Sequence, residues 1–300
     1  MNIGIIGLGD IAQKAYLPVY SRIEGITLHL CTRNKKKLEE IGAKYRITHL
    51  YTNIDDLLES GIQAAFVHSS TESHEELVRK LLMNDIHVYV EKPITYHFTQ
   101  SKALVKLAKE KQTVLMTGFN RRFAPSYQLL KEVQYPNTIV MQKNRLAQPA
   151  DIRTFIYDDF IHVVDTIRYL FPYSIDHLSV SGMVKEGLLY HVVVTFKNKE
   201  GPIAIGMMNR DSGTNEERVE VMSSIEKRVT LNVNDTFIYK GKEATKRLTS
   251  DWESTLHKRG FEQIVTAFLQ EIKKKSVYSE DSLITHEMCE FIVNELTQMD

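Results

Sequence analysis

Asn2-Ile3-Gly4-Ile5-Ile6-Gly7-Leu8-Gly9-Asp10-Ile11-Ala12 opens the chain, and the fold turns on how these residues are read. Asn2–Ile6 is a short apolar run of the kind that forms a buried strand, and a helix-patterned stretch, Ile11–Arg22, follows it. The two glycines stand at the junction. Gly7 permits a tight turn, and Gly9 leaves no Cβ between the backbone and a pyrophosphate that the helix N-terminus would face. Ala12 takes the place often held by a third glycine and is small enough for close helix–strand packing. Asp10 with Gln13 fits a capping box, and Pro18 inside the helical stretch predicts a short or kinked helix. Gly7, Gly9, Asp10, Ile11 and Ala12 are therefore the first candidates for binding a dinucleotide. A strand-to-helix turn with no ligand is the plain alternative.

The same rhythm continues to about residue 119. Strands are expected at Thr27–Thr32, Ala64–His68, His87–Val90 and Thr113–Thr117, and helices at Lys35–Tyr45, Glu72–Asn84 and Phe98–Lys111. Continuously apolar strands separated by helices predict an α/β Rossmann domain, a doubly wound parallel sheet covered on both faces. From residue 120 the pattern changes. One helix, Asp158–Leu170, precedes strand candidates at His177–Lys185, Leu188–Phe196, Ile203–Met208, Arg218–Ser223, Lys227–Val233 and Thr236–Tyr239. Two helical stretches, Gly260–Lys274 and Ser282–Gln298, close the chain. Short connections such as Asn198-Lys199-Glu200-Gly201 predict a second, α+β domain over 120–300 with an open, largely antiparallel sheet. The terminal helices have the option of packing back on the first domain.

The end of the second strand bears on the cofactor. An NAD site normally places Asp or Glu there, on the ribose hydroxyls. Here the residues are Leu30-Cys31-Thr32-Arg33-Asn34, with no acid. Arg33 either pairs with a 2′-phosphate, helped by Thr32 and by Lys35 or Lys36, or opens a solvated helix. The absence of an acid favours NADP(H) over NAD(H).

Composition narrows the classes of function. The chain has 300 residues, 43% hydrophobic and 25% charged, with 38 Lys plus Arg against 38 Asp plus Glu. That balance describes a folded globular protein with none of the basic excess that nucleic acid or an anionic membrane selects. Cys31 and Cys289 form neither a disulfide framework nor a metal-ligand spacing. The first strand begins too early for a secretory signal, and no apolar run approaches the roughly 18 residues needed to span a bilayer. A cytoplasmic location is expected.

Two further stretches make the chain resemble the Gfo/Idh/MocA oxidoreductase family. His87-Val88-Tyr89-Val90-Glu91-Lys92-Pro93 is similar to that family's strand ending in Glu-Lys-Pro. Asp158-Asp159-Phe160-Ile161-His162-Val163-Val164-Asp165 is similar to its Asp-x-x-x-His helix. Ser69-Ser70-Thr71-Glu72-Ser73-His74, which departs from the more usual Thr-Pro-Asn version, and Gly118-Phe119-Asn120-Arg121-Arg122-Phe123 support the match. Phe66–Thr71, Gly118–Pro125, Asp158–Thr166 and Trp252–Phe261 look most like the MviM-type, or virulence-factor, branch. The resemblance implies an NAD(P)-dependent dehydrogenase or reductase acting on a sugar, polyol or similar hydroxy or carbonyl compound. It also implies a homodimer or homotetramer built through the C-terminal sheet. Some relatives instead use transient oxidation by bound NAD to cleave glycosidic bonds. A non-catalytic sensor of the nicotinamide pool is a third reading.

Under the resemblance Lys92, His162 and Asp158 are the catalytic candidates. An ammonium at the end of a parallel strand stabilises negative charge developing on a reacting oxygen, and exchanges a proton if its pKa is lowered. Without the resemblance, a lone Lys before Pro is a solvated turn residue. Asp158 and His162, four apart, share one helix face, so the carboxylate steadies an imidazolium or accepts a substrate hydroxyl. A buried, satisfied histidine is the bland alternative. The resemblance adds Ser69, Ser70, His74, Glu91, Lys92 and Asn120 to the cofactor-binding set of Gly7, Gly9, Asp10, Ile11, Ala12, Thr32 and Arg33. Weaker substrate candidates are Asp165, Arg122, Arg145 and Arg210, each also readable as a packing, surface or interface residue. Asp158, His162 and Asp165 lack a clear further ligand, so no metal is expected.

Overall fold

A computed structural model describes residues 1–248, 250–274 and 280–299. The described chain divides into two compact units. One comprises Met1–Gly118 with Phe261–Ile284, and the other Phe119–Gly260 with the chain from Thr285 onward.

In the first unit, β1 (Asn2–Ile6), β2 (Thr27–Cys31), β3 (His49–Tyr51), β4 (Ala64–Val67), β5 (His87–Val90) and β6 (Leu115–Thr117) form one sheet. Their order is β3-β2-β1-β4-β5-β6, and every pair is parallel. The order reverses between β1 and β4, which opens the crevice where such sheets take ligands. Helices α1 (Leu17–Tyr20), α2 (Lys35–Tyr45), α3 (Ile54–Glu59), α4 (His74–Met83) and α5 (Phe98–Glu110) connect the strands. Central strand β4, Ala64-Ala65-Phe66-Val67, is buried throughout, which is why its sequence is apolar without alternation.

Two local features depart from expectation, and a third, the short, irregular first helix, agrees with the reading of Pro18. Strand β3 and helix α3 went unread, because a three-residue edge strand followed by a six-residue acidic helix carries too little periodicity to register. The first helix begins with a π-type turn, Ala12–Tyr16, ahead of α1. Pro18 has no N–H to offer the carbonyl of Lys14, and its ring would crowd that carbonyl in an α-turn. The capping box is replaced by other contacts. Gln13 donates its Nε2 to the carbonyls of Leu8 (2.9 Å) and Gly9 (3.4 Å), while Asp10 pairs in solvent with Lys14 at 2.8 Å.

The second unit is built on β7 (Thr138–Leu146), β8 (His177–Lys185), β9 (Leu188–Lys197), β10 (Ile203–Ser212), β11 (Glu216–Met222), β12 (Lys227–Leu231), β13 (Asp235–Lys240) and β14 (Glu243–Arg247). Their order is β14-β13-β12-β11-β7-β10-β9-β8, antiparallel except for the parallel pair β7 and β10. Strand β7 was not expected. Its Gln142-Lys143-Asn144-Arg145 run hides the alternation, and Lys143 and Asn144 are nonetheless buried. Helix α6 (Pro125–Lys131) precedes β7. After β7 come α7 (Ile152–Thr154), a π-type turn Phe155–Phe160 and α8 (Ile161–Leu170), so the helical stretch expected from Asp158 starts six residues earlier. The Asp151 side chain opens it by accepting from the Thr154 N–H at 3.0 Å. Helix α8 lies on the sheet at Gly206, where a Cβ would come within 2.8 Å of both Ile167 and Val163.

After α9 (Thr255–Lys258), α10 (Phe261–Lys274) joins the first unit, and α11 (Glu280–Thr297) lies largely in the second. Phe268 on α10 packs edge-on against Phe66 (5.0 Å between centroids) and Tyr89 (5.7 Å), and Phe261 packs against Tyr16 (5.2 Å). None of the described helices is long and apolar enough to cross a membrane. Phe268 is completely buried, so Phe268→Ala should cost about 3–5 kcal/mol of stability. Urea unfolding followed by circular dichroism would measure the loss.

Candidate functional site

The crevice at the switch between β1 and β4 is set by one close approach. Gly7 has φ +84°, and a Cβ there would sit 2.5 Å from the backbone N of Ser69. No other residue type fits, because both the backbone conformation and the space exclude a side chain. Gly7 N–H donates to the Cys31 carbonyl (3.0 Å) and His68 N–H to the Ile6 carbonyl (2.8 Å), drawing together the loops that follow β1, β2 and β4. At Gly9 the situation is reversed: a Cβ would meet only the His68 carbonyl, at 4.0 Å. Nothing in the protein requires a glycine there, whereas a pyrophosphate drawn close to the backbone would.

The cleft formed by these loops measures about 520 Å³, and its walls include Gly7, Gly9, Thr32, Arg33, Ser69 and Ser70. Asp10, Ile11, Ala12, His74, Glu91 and Lys92 do not line it. Ala12 is fully buried behind the loop, whereas Asp10 and Ile11 are exposed. Lys37 lines the cleft in place of the expected Lys35 or Lys36, along with Asn34, Thr52, Asn53 and Glu76. The Asn34 side chain accepts from the Lys37 N–H at 3.0 Å, which caps α2 and fixes the turn carrying Arg33. That cap was legible as Asn before a helical stretch. Ser73 Oγ donates to Ser69 Oγ and to the Ser70 carbonyl, both at 2.8 Å, and so holds the second wall.

His74 is completely buried, with Nδ1 3.0 Å from the Pro93 carbonyl and Nε2 3.2 Å from the Ser69 carbonyl. It ties the cleft wall to the turn bearing Lys92, whose peptide bond to Pro93 is cis. Burial lowers the His74 pKa, against an opposing pull from the carbonyls. Just before that turn lies a polar network that sequence reading missed. Tyr20 Oη and His68 Nε2 are 2.9 Å apart, and Tyr16 and Tyr89 share a 2.6 Å hydroxyl contact. His68 Nδ1 lies 3.6 Å from Glu91 Oε1. Burial would raise the Glu91 pKa, but His68, Tyr16 and Lys92 outweigh it and hold the carboxyl below its ordinary value. Lys92 thus sits beside an ionised carboxylate.

In the second unit, Asp158 is half-buried in the π-type turn and His162 is buried at the start of α8. The substrate candidates Asp165 and Arg122 are partners of each other. Arg122 Nη2 donates to Asp165 Oδ1 at 2.6 Å and Nε to Oδ2 at 2.9 Å, and Thr285 Oγ1 donates to the same carboxylate at 3.2 Å. Asp165 is 1% exposed, so the surface alternative for it is corrected: α8 is covered on both sides. Asn120 Nδ2 donates to the Arg259 carbonyl at 2.9 Å. Arg210 stacks over Phe155 at 5.2 Å. Arg145 meets Asp159, which also takes the buried ammonium of Lys143.

Lys143 and Asp159 belong to a charge cluster absent from the sequence reading. Arg121 grips Glu217 through two bonds of 2.7 Å, and the Tyr127 hydroxyl donates to the same carboxylate. Burial would raise the Glu217 pKa, but Arg121 outweighs it and holds the carboxyl down at about 2. Among the described residues no group of three or more His, Cys, Asp or Glu could hold a metal.

Comparison with known proteins places these features in a family. A family model described as "Oxidoreductase family, NAD-binding Rossmann fold" (Gfo/Idh/MocA) matches residues 1–119. A second, "YceM-like, C-terminal domain", matches residues 125–243. The YceM protein of Salmonella typhimurium is 33% identical over 284 residues, covering 92% of this chain and 91% of the relative. A myo-inositol 2-dehydrogenase of Thermotoga maritima is 27% identical over 258 residues, covering 79% and 77%. The crystal structure of an MviM dehydrogenase from Clostridium difficile superposes with a TM-score of 0.93 at 32% identity, covering 98% and 99%.

Because the folded pKa of Glu217 is depressed, its stabilising contribution is complete above the ordinary carboxylate range and drains away as pH falls from about 4 towards 2. Chemical-denaturation midpoints between these pH values should drop steeply for the native chain. Glu217→Gln should start lower, by about 3–5 kcal/mol for the orphaned Arg121, and vary less with pH.

Proposed function

The chain belongs to the Gfo/Idh/MocA oxidoreductase family, and from that membership we propose hydride transfer between NADP(H) and a carbohydrate-like hydroxy or carbonyl compound. Its Rossmann domain is of the NAD-binding kind, and it is a dehydrogenase acting on CH–OH groups. The observation that carries the reading is the cleft beside Gly9, whose backbone has room for a pyrophosphate and none of whose neighbours uses that room. The nicotinamide cofactor supplies or takes up the hydride.

This chain's own residues bind, orient and move the proton. The amides at the Gly7–Gly9 turn and the hydroxyls of Ser69 and Ser70 hold phosphate oxygens. Thr32, Arg33 and Lys37 hold the 2′-phosphate. Their support is the pair of cations Arg33 and Lys37 in the cleft wall and the absence of an acid in the strand-end stretch Leu30-Cys31-Thr32-Arg33-Asn34, where an NAD site normally carries one. Lys92 donates a hydrogen bond, and then a proton, to the oxygen that becomes negative during reduction, and takes the proton back during oxidation. Asp158 and His162 orient the substrate hydroxyl and provide a second route for its proton. A polyol substrate is supported by the myo-inositol 2-dehydrogenase relative.

Lys92→Met should lower turnover by roughly 10²- to 10⁴-fold while leaving nicotinamide affinity within a few-fold. Steady-state rates over a polyol panel, paired with NADPH titration, would check this. A Lys92→Met protein with native turnover would remove Lys92 from the chemistry. Arg33→Ser should weaken NADPH by about 1.5–3 kcal/mol, roughly tenfold to a hundredfold, and leave NADH little changed. Equal losses for both cofactors in a fluorescence titration would refute the 2′-phosphate assignment.

A further inference from the structure

The second unit contains a pocket that the dehydrogenase chemistry has not used. Lys143 and Arg145 stand two apart on β7, so both side chains leave the same face of the strand. Arg121 and Arg259 close the pocket from the turns that follow β6 and α9. Its volume is about 140 Å³. That is room for one carboxylate or phosphate group with a few waters.

The charges do not balance. Asp159 is shared between Lys143 and Arg145, and Glu217 is held on both oxygens by Arg121. Glu216, also in the wall, accepts from the amides of Asn144 (2.7 Å) and Gln142 (3.3 Å) rather than from a cation. Four cations therefore face three carboxylates, and exposed Arg259 forms no ion pair among the described residues. Lys143 is 3% exposed at its side chain, and its pKa is pushed down by burial and by the charge of Arg121, which Asp159 and Glu217 only partly offset. A buried ammonium in that position is short of negative charge.

We propose that this pocket, between Arg121, Lys143, Arg145 and Arg259, binds an oxyanion carried by the substrate, so that the enzyme acts on an anionic hydroxy compound. Naming the ligand a substrate rests on the dehydrogenase reading. Within the unit the link is local: Asp159, which anchors Lys143 and Arg145, is the residue after Asp158. Asp159 takes Nε (2.8 Å) and Nη2 (3.2 Å) of Arg145, and the planar guanidinium, 37% exposed, presents its other edge to an incoming carboxylate or phosphate. A neutral sugar would leave the excess charge uncompensated.

The test is calorimetric titration of the full chain, at constant ionic strength, with glucose, glucuronate and glucose 6-phosphate. The proposal expects one of the two anions to bind about tenfold or more tighter than glucose, and which one does so separates a carboxylate from a phosphate ligand. Arg259→Gln and Arg145→Gln, both at side chains open to solvent, should each cut that affinity about tenfold and leave NADPH affinity unchanged. Affinities equal for glucose and both anions, or anion binding indifferent to both substitutions, would overturn it. The dehydrogenase reading fails separately, by absence of NADPH and NADH binding. Turnover of neutral polyols as efficient as that of anionic ones sinks the pocket assignment while leaving the dehydrogenase standing.

Discussion

Ser69 runs so close to Gly7 that even a single carbon on that glycine would strike its backbone. This contact brings the loop after β4 onto the turn after β1, and the Gly7–Cys31 hydrogen bond adds the loop after β2. Three strand ends thereby converge on one cleft, and the rest of the first unit follows from holding them there. The buried β4 places Ser69, and Ser73 pins the serine pair. His74, from the next helix, ties that pair to the Lys92 turn. A cleft built this way is preorganised: its polar groups are positioned by packing and backbone bonds before any ligand arrives, so little ordering remains to be done on binding.

The second unit solves a different problem, burying charge. Lys143 on β7 occupies a position that an alternating strand would give to an apolar residue, and it is tolerated because Asp159 meets it there. The π-type turn Phe155–Phe160 fits this need. Its wider winding carries Asp159 inward to the sheet while Asp158 stays half-buried. Arg121 with Glu217 and Arg122 with Asp165 repeat the pattern, two adjacent arginines each committed to its own acid. Such pairs add little net stability over apolar packing, but breaking one by removing a single partner is costly because it leaves a buried charge uncompensated.

Much of the first unit was legible in order of residues. Continuous apolar runs marked β1, β2, β4, β5 and β6, and their separation by helical stretches implied parallel pairing. Gly7 and Gly9 were read from their position between strand and helix, and Thr32 and Arg33 from the strand end. The elements that escaped did so for identifiable reasons. Strand β3 is too short to show a period, and β7 hides its inward positions under lysine and asparagine whose partners are distant in sequence. The same concealment removed Lys143, Asp159 and Glu217 from view, since a charged residue on its own reads as solvated. His74 and Asn120 were singled out by motif, yet their nitrogens are engaged by the carbonyls of Pro93, Ser69 and Arg259.

The sequence by itself determined the parallel sheet, the strand-to-helix glycine turn and the mainly antiparallel second sheet, because each depends on local periodicity or on residues adjacent in the chain, and its motifs carried the resemblance to the family. Only the tertiary structure decided that Lys37 rather than Lys35 or Lys36 lines the cleft and that Arg122 belongs to Asp165. It alone gathered Arg121, Lys143 and Arg145 around two buried acids. Electrostatic partners are chosen by distance in space, and Lys143 and Glu217 are 74 positions apart in sequence but share one charge cluster. Periodicity has no means of recording such proximity.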